Sequence, residues 1–361
     1  MRSSAFVILL LCVGTILHAQ INVEQYAYRG MHLDVSRHFF SKNVILKFID
    51  TLAANHINYF HWHLTDDQGW RIEIIRYPLL TSVGAFRKEQ DGKTYGGYYT
   101  QLDIKEIVDY AALRGVTIIP EIDLPGHSSA AIAAYPMLSC HQQSIEVPRH
   151  WGIFKDVLCP TDSTLQFFKN VLDEVMDLFP SPYIHLGGDE VPKAQWKQST
   201  YVSQLMKEKQ LKNYEQVQHY IMQNLEAYVE SKGRRCIMWG EALRGGVSDW
   251  TIIMSWRGKF AGIKAAKRGN EVIMAPRFSC YFDYPQSMKD KKHAWWMTYL
   301  PASKVSRFNP TSPLLNQEQS KRIIGAEATL WTEYVTTEQE LWHQLLPRLN
   351  KFGIALQKVK Q

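Results

Sequence analysis

A (β/α)8 barrel in a single domain is the fold class that this sequence predicts. Three observations point to it. Eight short apolar runs alternate with amphipathic helical stretches along the 361 residues. A polar or aromatic cluster follows every one of those runs, and the connections after the strands are where such a barrel builds its site. No linker rich in Pro, Gly or Ser divides the chain, although its length alone also admits two domains. A doubly wound sheet is the alternative architecture. It is disfavoured because no glycine-rich nucleotide loop follows the first run.

The elements come in order. Met31 to Ser36 reads as strand one. Lys42 to Asn55 has helical periodicity through Val44, Ile45, Phe48, Ile49 and Leu52. Tyr59 to Leu64 is strand two. Leu102 to Arg114 is a helix with Ile104, Ile107, Val108 and Ala111 on one face and Gly115 at its end. Val116 to Ile122 is strand three, Thr164 to Phe179 a helix, and Tyr183 to Leu186 strand four. Tyr214 to Ser231 is helical. Arg235 to Trp239, Thr251 to Ser255 and Glu271 to Ala275 are strands five to seven, with a short helix from Ile263 to Arg268 closed by Gly269. Ile323 to Ala328 is strand eight, and Glu338 to about Gln357 is a final helix. The long irregular stretches, about 79–100, 138–160 and 275–320, each follow a strand or its continuation.

Composition narrows the class. Hydrophobic residues at 45% against charged residues at 21% suit a globular chain with a large core. The 11 Trp and 18 Tyr exceed what a core needs and suit a site that stacks on flat apolar faces such as sugar rings. The formal charge of +6 is scattered; its densest run, Lys289 to Lys292, is broken by Asp290 and reads as a solvated loop, so no nucleic-acid partner is expected. Arg2, the apolar run Ala5 to Leu17 and Ala19 read as a signal peptide over residues 1–19, with the barrel over 20–361. Export to the periplasm or the extracellular space follows, with no membrane span in the mature chain. Of the five cysteines, Cys12 falls in that leader. No C-x-x-C occurs. Cys140 and Cys159 bracket one irregular segment and are expected to form a disulfide in an exported protein. Cys236 lies in an apolar strand and is expected to be a buried thiol.

The chemistry centres on Tyr183-Ile184-His185-Leu186-Gly187-Gly188-Asp189-Glu190-Val191. A buried strand runs into two glycines and then two adjacent carboxylates. The glycines permit a tight turn or close backbone approach. Neighbours on an extended chain point to opposite sides, so Asp189 and Glu190 can serve different atoms of one substrate in different protonation states. A solvated acidic turn would not need the apolar strand before it. The other strand ends carry Ser36-Arg37-His38, then Asp66-Asp67-Gln68-Gly69-Trp70-Arg71, then Asp123-Leu124-Pro125-Gly126-His127. Further on come Trp239-Gly240-Glu241, Trp256-Arg257, Tyr281-Phe282-Asp283-Tyr284 and Trp331-Thr332-Glu333. His61 and His63 share one face of strand two; without a third ligand at suitable spacing they read as satisfied core histidines, not a metal site. Arg71 and Asp67 read as structural ion-pair residues.

These clusters resemble the family 20 glycoside hydrolases, the β-N-acetylhexosaminidases. The resemblance rests on His185-Leu186-Gly187-Gly188-Asp189-Glu190-Val191 with Leu33 to Phe39, Phe60 to Asp67, Pro120 to His127 and Gly325 to Trp331. It covers about residues 28 to 350 and implies a catalytic barrel without the α/β domain that most members carry ahead of it. It fades after Pro347-Arg348-Leu349. What it implies about activity is exo-acting removal of terminal N-acetylglucosamine or N-acetylgalactosamine from a glycan or chitooligosaccharide. The substrate's own acetamide is the nucleophile in this family. By the same resemblance Glu190 is the general acid and then the base. Asp189 accepts from the acetamido N–H, and Tyr281 donates to the acetamido oxygen. Trp239, Trp256 and Trp331 box the methyl group and the sugar face. Arg37, Glu333 and Asp283 hold hydroxyls, and Asp66 and His127 tune Glu190. No cofactor and no metal are implied. A dispersin-like glucosaminidase acting on a secreted polysaccharide is a second reading. A catalytically dead sugar-binding module is a third, and the intact Asp189-Glu190 pair argues against it.

Overall fold

The computed structural model describes residues 26–290 and 298–357. The expected signal peptide lies outside the described residues, as do Lys291 and Lys292 of the basic run. Eight parallel strands close a barrel: β1 (Tyr28–Asp34), β2 (Tyr59–His63), β3 (Thr117–Glu121), β4 (Tyr183–His185), β5 (Arg235–Trp239), β6 (Ile252–Ser255), β7 (Val272–Met274) and β8 (Ile323–Leu330). Strand β1 closes the ring, pairing with β2 on one side and with β8 on the other from Tyr28↔Gly325 to Leu33↔Leu330. Each predicted strand is present, with ends moved by a few residues.

The helices form because their apolar positions repeat on one face. In α1 (Lys42–Ala54) the buried residues are Val44, Ile45, Phe48, Ile49 and Leu52, the set that the periodicity predicts. In α2 (Gln101–Ala112) they are Ile104, Ile107, Val108 and Ala111, and Thr100 with Asp103 closes a capping box at its start. Next come α3 (Asp162–Leu178), α4 (Tyr214–Ser231) and α5 (Phe260–Arg268). Between β5 and β6 only a single 3-10 turn, Gly240–Arg244, is formed.

The predicted final helix is two helices, α6 (Glu338–Leu345) and α7 (Arg348–Gln357). Pro347 causes the break, since it has no N–H to donate and its ring obstructs the preceding turn. The break lets the buried Arg348 point inward. Its guanidinium donates to the carbonyls of Tyr284 at 2.7 Å and Leu300 at 3.2 Å, and also to that of Phe282. Burial pushes the Arg348 guanidinium down to about 9. The helix after the motif region therefore clamps the backbone on either side of Asp283.

Two apolar clusters separate the layers. The larger joins the outer strand faces to the helices. The smaller, with Ile119, Ile237, Ile252, Met254 and Ile273, fills the barrel. Inward-facing residues alternate along each strand. At the N-terminal end Tyr28, Tyr59 and Tyr183 gather, with ring centroids 4.5 and 6.0 Å apart. Gly30 leaves them room: a Cβ there would lie 2.5 Å from the Tyr28 ring. Toward the C-terminal end the inward positions turn polar, which is where the site begins.

Candidate active site

The barrel floor is a buried hydrogen-bond network. His61 spans Glu327 (2.8 Å) and Glu121 (3.1 Å). His63 spans Glu121 and Asp66, the latter at 2.8 Å. Burial opposes charge on both rings, but the carboxylates prevail. Glu327 and Glu121 raise His61 to about 9, and Glu121 with Asp66 raises His63 well above its ordinary value. The two histidines are buried among three acidic groups and link them, although His61 Nε2, 3.1 Å from Glu121, makes no hydrogen bond. Donor atoms of His32, His61 and Glu121 lie within 4.8 Å of one another, as do those of His63, Asp66 and Asp123. Apart from His32, whose ring nitrogens have no partner, these groups pair with neighbours.

Above the floor, the four expected aromatic residues, Trp239, Trp256, Tyr281 and Trp331, wall a cavity. The Trp239 indole N–H donates to Glu121 Oε1 at 3.0 Å. Trp331 stands 6.2 Å from Trp239 and 6.4 Å from Tyr281, and Trp256 lies nearly parallel to Tyr281 at 6.2 Å. Tyr281 continues the sheet beyond β7 by bridging Thr329 of β8. Its burial, with Asp283 and Asp189 nearby, pushes the phenol well above its usual range, so it carries its proton and can donate.

The Gly187–Glu190 turn delivers the carboxylates. Gly187 has φ +66°, and a Cβ there would fall 1.7 Å from Asp123 Oδ1. That contact lets Asp123 accept the Gly188 N–H at 3.2 Å. His127 and Glu190 also hold positive φ, +49° and +47°. Such strain in non-glycine residues gathers at functional sites. Asp189 is buried, and its Oδ1 has no hydrogen-bond partner. Burial, with Glu241, Glu190 and Glu121 adding and His127 opposing, raises Asp189 to about 7. Burial and Asp189 likewise raise Asp123 well above the carboxylate range.

His127 Nδ1 lies 3.1 Å from Asp66 and 3.3 Å from Asp67. Its Nε2 faces Asp189 at 3.9 Å. The expected tuning of Glu190 by Asp66 and His127 is therefore not the contact formed; the pair addresses Asp189. Glu190 instead pairs with Arg257 at 3.3 Å, and Arg257 also donates to Glu241 at 2.6 Å. Asp66 is held below the usual carboxylate range by Arg37 and His127 despite its burial.

The same cavity is lined by the remaining expected groups. Arg37 pairs with Asp66 at 2.7 Å and Asp34 at 3.3 Å, and lies 5.1 Å over Trp331. Asp283 is raised well above its ordinary value by burial and by Glu333, and Glu333 is raised by burial. Arg71 differs from expectation. It makes no ion pair among the described residues; its guanidinium donates to the carbonyls of Val35, Ala85, Ser36, Gln68 and Gly97. Asp67 does pair, with His127, and also accepts from Ser129.

All eleven expected catalytic and substrate-binding residues line one cavity of about 280 Å³. Asp123, Arg257, Arg277, Tyr284 and the Trp151–Ile153 segment line it too, and the sequence reading gave none of them a role in the site. Asp123 and Arg257 were visible at strand ends. Trp151 had one signal, its place inside the loop closed by Cys140 and Cys159, which are disulfide-bonded. Cys236 is a buried free thiol.

Comparison with known proteins agrees with this geometry. Residues 26–355 match the model of the glycosyl hydrolase family 20 catalytic domain. A beta-hexosaminidase of Porphyromonas gingivalis is 43% identical over 326 residues, 90% of this chain and 42% of that one. One from Vibrio furnissii is 37% identical over 342 residues, 91% of this chain and 56% of that one. The chain thus spans about half the length of these curated relatives. A solved GH20 exo beta-N-acetylglucosaminidase from Vibrio harveyi, in complex with N-acetylglucosamine, superposes with a TM-score of 0.83 at 34% identity, covering 93% of this chain and 55% of that one. The eight-stranded barrel, the carboxylate pair after β4 and the aromatic box place this chain in glycosyl hydrolase family 20, as the match of its catalytic domain over residues 26–355 establishes.

Proposed function

We propose that the chain is an exo-β-N-acetylhexosaminidase that hydrolyses non-reducing terminal N-acetylglucosamine or N-acetylgalactosamine by a substrate-assisted, retaining mechanism. The observation that carries the reading is the buried, unpartnered Oδ1 of Asp189 in a cavity walled by Trp239, Trp331 and the Tyr281 phenol. An acetamide meets those demands at once. Its N–H donates to Asp189, its oxygen accepts from Tyr281 and its methyl group fills the aromatic box. The cavity, small for a ligand site, suits a single sugar residue and hence exo action.

In this reading the acetamido oxygen attacks the anomeric carbon. Being tethered, it loses little entropy on reaching the reactive geometry. The glycosidic C–O bond breaks, and the leaving oxygen takes the proton of Glu190, which Arg257 must release. Asp189 stabilises the positive oxazolinium beside it. Glu190 then takes a proton from water, whose oxygen bonds to the anomeric carbon from the face the aglycone left. The oxazolinium C–O bond breaks and the acetamide is restored. The two displacements leave the configuration retained.

Export by a leader at residues 1–19 belongs to the same proposal, and sequencing the mature N-terminus tests it. For the reaction, an aryl β-N-acetylglucosaminide is compared with the aryl β-glucoside and the free-amine glucosaminide. The first should be turned over and the other two should be almost inert. A cyclic thiazoline that mimics the intermediate should inhibit strongly. Similar rates on glucoside and N-acetylglucosaminide would sink the mechanism.

A further inference from the structure

The segment from Tyr281 to Tyr284 carries two of the groups that line the cavity, Tyr281 and Asp283, outside any barrel strand. On one side the sheet holds it: the Phe282 N–H donates to the Thr329 carbonyl of β8 at 2.7 Å. On the other side two fully buried side chains take its carbonyls. Arg348 donates to the carbonyls of Phe282 and Tyr284, the latter at 2.7 Å. The Gln344 amide donates to the carbonyl between them, that of Asp283, at 3.3 Å. Three successive carbonyls are thus held by one pair of residues. The pair is itself joined, since Arg348 donates to the Gln344 side-chain oxygen at 2.7 Å and to its main-chain carbonyl at 3.0 Å. Gln344 lies in the last turn of α6 and Arg348 opens α7, so the two straddle the break at Pro347.

Packing alone does not account for them. A buried guanidinium is costly, and an apolar side chain of similar volume often serves stability as well or better. Burial lowers Arg348 only to about 9, so the charge persists at neutral pH. Its donors are directed at carbonyls and at Gln344 in a rigid planar fork, which fixes where those carbonyls stand. We propose that Gln344 and Arg348 are positioning residues for the reaction. They set the main chain of residues 282–284, and through it the Tyr281 phenol and the Asp283 carboxyl, on the cavity wall. The inference rests on the hydrolytic reading above.

Gln344→Glu separates placement from packing. The carboxylate still accepts from Arg348 but has no N–H for the Asp283 carbonyl, so the fold is kept and the segment is released. On an aryl β-N-acetylglucosaminide its kcat/KM should fall about ten- to a hundredfold, the scale of a misplacement of about 1 Å. The fall should lie more in kcat than in KM, because Tyr281 acts on the attacking acetamido oxygen. In a Tyr281→Phe background the same substitution should cost much less, since residues that act through one another are not additive. Arg348→Lys, which reaches fewer of the carbonyls, should behave in the same way, and it carries the comparison should Gln344→Glu fail to fold. Circular dichroism and the unfolding midpoint show that each assay is made on folded protein. Wild-type constants in a folded variant, or an equal loss with and without the Tyr281 hydroxyl, would overturn the proposal. Should the wild type turn over nothing, calorimetric binding of N-acetylglucosamine decides. Weaker binding in Gln344→Glu that depends on Tyr281 leaves the positioning role standing while the reaction assigned above fails. A wild type with neither turnover nor binding overturns both.

Discussion

The Trp239 indole N–H donates to Glu121 Oε1 at 3.0 Å, joining one wall of the cavity to the buried network beneath it. The same carboxylate takes His61 and His63 on Oε2. From His63 the chain of contacts runs through Asp66 and His127 to Asp189. One buried group thus sets both an aromatic wall and the surroundings of Asp189.

Glu121→Gln should therefore damage more than the local contact. An amide of the same shape turns a donor toward imidazolium or indole N–H groups and leaves buried charge unmatched. Breaking a buried pair in this way costs about 3–5 kcal/mol. Denaturant unfolding should show that loss, and kcat/KM on an aryl N-acetylglucosaminide should drop with it as Trp239 loses its tether. An unchanged unfolding midpoint would mean that the network contributes nothing net.

Asp189 should make stability depend on pH. Its carboxyl rises from 3.8 to about 7 in the folded chain, chiefly through burial, with Glu241, Glu190 and Glu121 adding and His127 opposing. Between those values the folded state holds a proton that the unfolded state has lost. Stability then falls as pH rises through that window, and the full penalty stands above about pH 7. Asp189→Asn removes it. The variant should unfold near the wild-type midpoint at low pH and be more stable by one to a few kcal/mol at pH 8, each pKa unit being worth about 1.4 kcal/mol. Urea unfolding at both pH values checks this; an advantage that does not grow with pH would contradict the burial of an unmatched charge.

The fold was legible because its signals are periodic and local. The inner faces of α1 and α2 and all eight strands follow from apolar spacing. The single long helix at the end failed at Pro347, whose effect on the preceding turn is also local and was readable. The site was legible because a barrel brings strand ends together, so eight separate clusters in sequence become one cavity. Pairings within it were not. Whether His127 faces Asp189 or Glu190 depends on two separate turns, with positive φ at His127 after β3 and at Glu190 after β4, which residue types do not announce. Arg71 looked like an ion-pair residue because its five partners are carbonyls, which every residue carries. Trp151 enters the cavity from a loop without periodicity.

That loop is held at both ends. Cys140 and Cys159 are bonded, and the Gln68 side-chain amide donates to the His150 carbonyl at 2.9 Å. Trp151 to Ile153 then reach the cavity wall. Replacing both cysteines by serine should cost about 3 kcal/mol in the chain-entropy view of a loop this size. It should also raise KM more than it lowers kcat, because in the proposed reading the loosened wall would hold the sugar rather than the reacting atoms. A non-reduced digest with both thiols free, or steady-state constants unchanged in the double variant, would refute the role.

The two central carboxylates should separate in a leaving-group series. Glu190→Gln keeps its shape but has no proton to transfer. It should suffer most with a second sugar as leaving group, whose oxygen must be protonated, and less with an activated aryl group. General acid catalysis contributes roughly a hundred- to ten-thousand-fold, which sets the expected spread. Asp189→Asn keeps a polar side chain at the unpartnered Oδ1 position but loses the charge beside the oxazolinium. Its defect should persist with the activated aryl group, because formation of the ring is itself impaired. Azide needs no general base, so it should accelerate the Glu190 variant where breakdown of the intermediate limits turnover, and do little for the Asp189 variant. Arg257 adds a further mark. Its 3.3 Å contact holds the Glu190 side chain in place. Arg257→Gln should then slow both of the steps that Glu190 serves in the proposed reaction. Equal leaving-group dependence and equal azide response in the Glu190 and Asp189 variants would mean that the roles of the two residues are wrongly divided.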